Sequence, residues 1–142
     1  MKFFLSVAVV ALALIGCTGS KETMLNKQPA LVFDDPYWIQ IVPGQPDGKK
    51  SIVLFLPYSM ALENYAVDSA YFRGYHVPLK TSEMEGKKVY RARIMLEQDH
   101  VAVVPPYEIE ENQALLTYVN REGVRRYFIV ENIVQGESIF MP

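Results

Sequence analysis

Few residues in this chain could do acid–base or nucleophilic chemistry. Its 142 residues include two histidines, His76 and His100, and one cysteine, Cys17. Neither histidine falls in H-E-x-x-H, H-x-H or any spacing that would bring two metal ligands together. The plainer expectation for both is a surface or strand-edge position. No G-x-S-x-G elbow is present, and Ser59 and Ser69 lack a neighbouring histidine to activate a hydroxyl. Carboxylates gather at Asp34-Asp35 and at Glu108, Glu110 and Glu111, after Pro105-Pro106-Tyr107. Two of them about 5 to 9.5 Å apart could hydrolyse a glycoside, and a set of oxygens could hold calcium, yet no D-x-[DN]-x-[DN]-G loop occurs. Solvated loop charges are the expectation. No catalytic residue, metal or cofactor is assigned.

Aromatic and guanidinium groups form a richer set. Tyr37, Trp38, Tyr58, Tyr65, Tyr71, Phe72 and Tyr75 crowd the first half, and Arg73, Arg91, Arg93, Arg125 and Arg126 fall in or beside β-rich runs. A strand sends alternate side chains to one side, so Tyr71, Arg73 and Tyr75 would share a face if Gly74 is not bulged, as would Arg91 and Arg93. An exposed strip of this kind suits a sugar ring, a peptide or an anionic head group. The alternative puts the rings in the core and leaves the arginines to solvate the outer surface.

These groups have to be positioned by one domain. Half the residues are hydrophobic, 21% are charged and 12% aromatic, which is a globular composition. Fourteen Lys plus Arg against sixteen Asp plus Glu give a net charge of -2, so nothing suggests a nucleic-acid partner. Residues 18 to 142 contain no thiol, so disulfides and zinc-thiolate sites are excluded there and the fold must stand on its core. From residue 30 the pattern is short β-type runs parted by turn chemistry. Tyr37 to Val42 precedes a Pro43 to Gly48 turn cluster, and Ser51 to Leu56 ends at Pro57, which cannot donate to a ladder. Tyr58 to Tyr65 fits a helical turn or a loop. Ala66 to Arg73 is the next strand, continuing to Val77 with a bulge expected at Gly74. Glu85-Gly86 turns into Lys88 to Leu96, where Tyr90, Ala92, Ile94 and Leu96 alternate with outward positions. Val101 to Val104 is a short apolar run. A final hairpin joins Ala114–Asn120 to Val124–Val134 through Arg121, Glu122 and Gly123, and its second arm, apolar on both parities, is expected to be a central strand. The fold expected is all-β, a small antiparallel β-sandwich (Ig-like) of roughly seven to nine strands, with a small β-barrel as the alternative.

The N-terminus carries the most specific signal. Phe3 to Ile15 is an uncharged run with Ser6 its only polar member, and Gly16, Cys17, Thr18, Gly19 and Ser20 follow. Thirteen residues make roughly 20 Å of helix, short of a roughly 30 Å hydrocarbon core, so a secretory signal is expected rather than a permanent span. No A-x-A cleavage pattern follows it. Leu14-Ile15-Gly16-Cys17 resembles the lipobox of bacterial lipoproteins. That resemblance implies cleavage between Gly16 and Cys17, diacylglyceryl attachment to the Cys17 sulfur and acylation of the new N-terminus. Only a thiol can form the thioether, and a small Gly16 admits the peptidase. Thr18 is not the Asp that the family links with inner-membrane retention, which favours the outer membrane. Residues 1–16 are then the signal peptide, 17–29 a lipidated tether reaching up to roughly 40 Å, and 30–142 the β-domain.

Val67-Asp68-Ser69-Ala70-Tyr71-Phe72-Arg73-Gly74, with Ala114-Leu115-Leu116-Thr117-Tyr118 and Arg126-Tyr127-Phe128-Ile129-Val130, looks like small envelope lipoproteins of Bacteroidetes-type bacteria. The likeness spans roughly residues 50 to 142. It implies a lipobox joined to a compact β-domain and supplies no catalytic residues. The function expected is a noncatalytic, lipid-anchored envelope module with a protein partner. A glycan- or anion-binding module comes second, and a hydrolase with a spatially assembled site third.

Overall fold

A computed structural model describes residues 31–61, 66–120 and 122–142. The signal-like run, Cys17 and the tether lie outside the described residues, as do Tyr65 and Arg121. Eleven strands follow in order: β1 Leu31–Phe33, β2 Tyr37–Val42, β3 Ser51–Ala61, β4 Ala66–Phe72, β5 Tyr75–Pro78, β6 Lys80–Met84, β7 Lys87–Met95, β8 Ala114–Val119, β9 Arg125–Val130, β10 Val134–Gln135 and β11 Ile139–Phe140. There is no helix among the described residues. The strands form a larger sheet, ordered β10-β2-β3-β7-β6 with β1 beside β3 and β11 beside β2, and a smaller one, ordered β5-β4-β8-β9. The architecture is a small β-sandwich, and its sheets do not close into a barrel. The strand count exceeds seven to nine because β1, β10 and β11 are only two or three residues long and the run around Gly74 is two strands.

Hydrophobic patterning explains the layering. Ile52 to Leu56 of β3 are buried on both faces: Ile52, Leu54 and Leu56 face the smaller sheet, and Val53 and Phe55 are covered by Tyr37, Ile39 and Ile41 of β2 with Val89 of β7. Trp38, Ile52, Leu54, Leu56, Tyr90, Ala92 and Ile94 of the larger sheet meet Ala70, Phe72, Ala114, Leu116 and Val130 of the smaller in one core. Burying a side chain such as Leu54 or Phe72 stabilises by about 1.5 to 3 kcal/mol. Tyr58 and Tyr90 stack at 4.5 Å between centroids, and burial, followed by the neighbouring Tyr58, pushes the Tyr90 phenol up to about 12.

Three expectations fail for identifiable reasons. Pro57 does not end β3, which runs to Ala61; its carbonyl accepts from Asp34 N–H at 2.8 Å, so its missing donor falls where β1 breaks from β2. Gly74 is not a bulge. Phe72 pairs with Tyr75, and Arg73 (φ 49°) with Gly74 (φ 83°) makes a two-residue turn with both φ positive, the geometry that suits the twist of a tight hairpin. The bulge lies earlier, between Val67 and Ser69. The second arm of the last hairpin, β9, is an edge strand: Phe128 is only half-buried, while the outward Tyr127 lies 5.4 Å from Tyr107 of the segment joining β7 to β8. Both parities are apolar because that segment lies beside one face. Beyond β9 the chain crosses to the larger sheet, where β10 and β11 run parallel along β2 and cover its edge.

Candidate functional site

The Arg73-Gly74 turn organises the first site. Turning there sends Tyr71 and Tyr75 to opposite faces of the smaller sheet, so the predicted Tyr71–Arg73–Tyr75 strip does not form. Tyr75 packs against the core, its ring stacked on His100 at 3.8 Å and 7°. Tyr71 is half-buried on the outer face, stacked on His76 at 4.0 Å and 3°. Arg73 sits on the turn with its guanidinium 4.8 Å from the Trp38 ring centroid and Nη1 donating to the Glu111 carbonyl at 3.4 Å. Such a cation–π contact holds a flexible side chain in place.

Opposite the turn lies the strandless segment 101–111, and between them is a cavity of about 590 Å³. Tyr71 to Gly74 form one wall; Ala102 to Pro105 and Glu108 to Glu111 form the other. The Gly74 carbonyl ties the walls together, accepting from Val103 N–H at 2.8 Å and His100 Nε2 at 2.7 Å. A carbonyl only accepts, so His100 carries its proton on Nε2. Most of the Val101 to Val104 run, from Ala102 on, is therefore a wall of the cavity, and its ends are exposed, Val101 at 84% and Val104 at 86%.

The same turn assembles a group that sequence inspection missed. Ser69 and His76 stand seven residues apart, but the hairpin brings Ser69 Oγ to 2.7 Å from His76 Nε2. Ser69 Oγ also hydrogen-bonds Thr117 Oγ1 on β8, and Thr117 Oγ1 donates to the Ser69 carbonyl at 3.4 Å. A hydroxyl carries one proton, so Ser69 can donate to His76 in the order of a nucleophile and its base only when Thr117 gives its proton to Ser69 Oγ instead of to the Ser69 carbonyl. Ser69 is only 7% exposed, however, and no described carboxylate is hydrogen-bonded to His76. A two-residue hairpin signal, a glycine preceded by a polar residue between two alternating runs, would have revealed the pair.

Arg91 and Arg93 do share a face, the outer face of the larger sheet. Register aligns Val134, Tyr37, Phe55, Arg91 and Lys80 in one row. Ile39, Val53 and Arg93 form the next, and Ile139, Ile41, Ser51 and Met95 the third. Val53, Phe55 and Val89 make a second apolar cluster with Tyr37, Ile39 and Ile41, separate from the core. Tyr37 and Phe55 stack at 4.8 Å. Lys80, Lys87, Arg91 and Arg93 are exposed around it, and none of the strand positions on this face is Asp or Glu among the described residues.

No family model, curated protein or solved structure matches this chain. Among the described residues, no group of three His, Cys, Asp or Glu side chains is placed to hold a metal ion, and no helix is long and apolar enough to cross a membrane. The functional reading rests on the two sites and on the N-terminal sequence.

Proposed function

We propose that this protein is a lipid-anchored module of the bacterial cell envelope, held at the outer membrane through Cys17, that binds a protein partner without transforming it. The binding half is carried by the cleft between the Arg73-Gly74 turn and segment 101–111, whose walls are fastened by the Gly74 carbonyl. An extended peptide suits its lining. Val103 and Pro105 receive an apolar side chain, Arg73 faces a carbonyl or carboxylate, and the exposed Glu108, Glu110 and Glu111 attract a basic side chain. A glycan is the less favoured occupant, because a sugar stacks on an open aromatic face and Tyr71 has given one of its faces to His76. The anchoring half rests on Leu14-Ile15-Gly16-Cys17.

A hydrolase is the second reading, favoured by the 2.7 Å Ser69–His76 contact. Quantitative capture of envelope proteins separates the two. Ala102→Trp fills the cleft from an exposed position and should lower capture at least about tenfold, whereas His76→Ala should leave it unchanged. Capture indifferent to Ala102→Trp, together with a hydrolytic activity lost in His76→Ala, would replace the binding reading with the enzymatic one.

A further inference from the structure

The outer face of the larger sheet combines exposed apolar side chains with four exposed cations, and none of its described strand positions is acidic, in a chain whose acids outnumber its bases sixteen to fourteen. Met95 is 43% exposed, Val134 61% and Ile139 47%. The acids that rim the cleft, Glu108, Glu110 and Glu111, belong instead to the segment facing the smaller sheet's turn. The strand positions of this face are therefore cationic while the cleft is rimmed by acids.

We propose that this face docks on an anionic phospholipid surface, laying the larger sheet against the bilayer. The inference rests on the anchoring reading for its tether and on charge complementarity for its occupant. Anionic headgroups attract each Lys or Arg held near the surface, and apolar side chains at the same level enter the headgroup–acyl boundary. A second copy of the chain is a poorer occupant. A two-fold contact sets the same patch on both partners, so it would gather cations with no carboxylate between them. The tether, up to roughly 40 Å long, keeps the face at high effective concentration over the lipid, so weak intrinsic affinity suffices. Docking in this pose fixes the orientation of the peptide cleft relative to the membrane.

The test uses the acylated full chain placed in vesicles of phosphatidylcholine or of phosphatidylcholine with roughly one-third phosphatidylglycerol. With Cys17 held as a thioether, a cysteine introduced by Met95→Cys is the only free thiol for an environment-sensitive dye. The dye should shift to the blue on anionic vesicles only, and about 0.5 M salt should reverse the shift. Arg91→Gln with Arg93→Gln should lower the docked-to-undocked ratio about 25-fold, at about fivefold per cation. A dye placed by Glu110→Cys should not respond. Equal emission from Met95→Cys on neutral and anionic vesicles overturns the proposal. So does a blue shift that is indifferent to lipid charge and accompanied by a doubled mass in detergent, which assigns the face to a second copy. Failure of the anchor is seen separately, as protein without acyl mass that does not float with neutral vesicles. In that case the Met95→Cys dye is read with anionic vesicles in large excess: a blue shift reversed by salt still supports the face, and no shift rejects it.

Discussion

The two sheets present opposite chemistry on their outer surfaces. On the smaller sheet, Leu115 and Thr117 face outward yet are 0% and 1% exposed, Thr117 bonds Ser69, and Tyr107 of segment 101–111 lies against Tyr127. On the larger sheet, Ser51 and Ser82 face outward with buried hydroxyls that have no hydrogen-bond partner, and the apolar side chains packed on Val53 and Phe55 come from the same sheet. The first face satisfies its polar groups with the chain's own loops and strands. The second is equally buried at its centre, where Ser51, Val53, Phe55 and Val89 are closed over by their own sheet. It surrounds that cluster with exposed cations and the exposed Met95, Val134 and Ile139, which a flat partner surface can meet.

The largest predicted effect concerns what the two faces share. Phe72, fully buried and edge-on to Trp38 at 6.4 Å, joins both sheets, so Phe72→Ala should cost about 3 to 5 kcal/mol in denaturant unfolding and disable cleft and outer face together. Phe128→Ala on the edge strand should cost roughly half as much, because that ring is only half-buried. A Phe128→Ala loss equal to that of Phe72→Ala would restore the central-strand expectation.

Alkali should reach the shared core next. Tyr90 in the fold holds its proton up to about 12, above the ordinary phenol near 10, so the unfolded chain releases that proton first as pH rises. Its contribution is fully present below about pH 10 and falls between about pH 10 and 12, by on the order of 2 kcal/mol. Tyr90→Phe should flatten stability across that window in alkaline unfolding curves, and an unchanged slope would sink the assignment.

Hydroxyl removal should then separate the two faces. Thr117→Val takes away a partnered group and leaves Ser69 short of a bond, costing about 1 to 2 kcal/mol. Ser51→Ala removes a desolvated hydroxyl with no partner and should be neutral or stabilise by up to about 1 kcal/mol. Equal losses in thermal melts would show that the larger sheet's face is satisfied in the same way. Smallest of all, Arg91→Gln should change stability in solution by no more than about 0.5 kcal/mol, since its side chain is exposed.

Much of the sandwich was legible before the structure. The Tyr90, Ala92, Ile94 alternation put Arg91 and Arg93 on one face, and Glu85-Gly86 marked the turn between β6 and β7. Period alone could not say that β9 is an edge, because a loop beside a strand and a second neighbouring strand leave the same apolar signature. Nor could it place Ser69 beside His76 while Gly74 was taken for a bulge; the contact depends on a register fixed by a two-residue turn. The cleft was hidden for a related reason: one wall is a valine-rich run that looks like a strand and pairs with none.

Methionine oxidation offers the most direct test of the division of labour between the faces, since Met84 and Met95, 38% and 43% exposed, are native reporters on the larger sheet. On the acylated wild-type protein, mild peroxide should oxidise both several-fold more slowly on anionic than on neutral vesicles at low salt, and about 0.5 M salt should abolish the difference. Rates that do not depend on lipid charge would contradict a membrane-docked sheet.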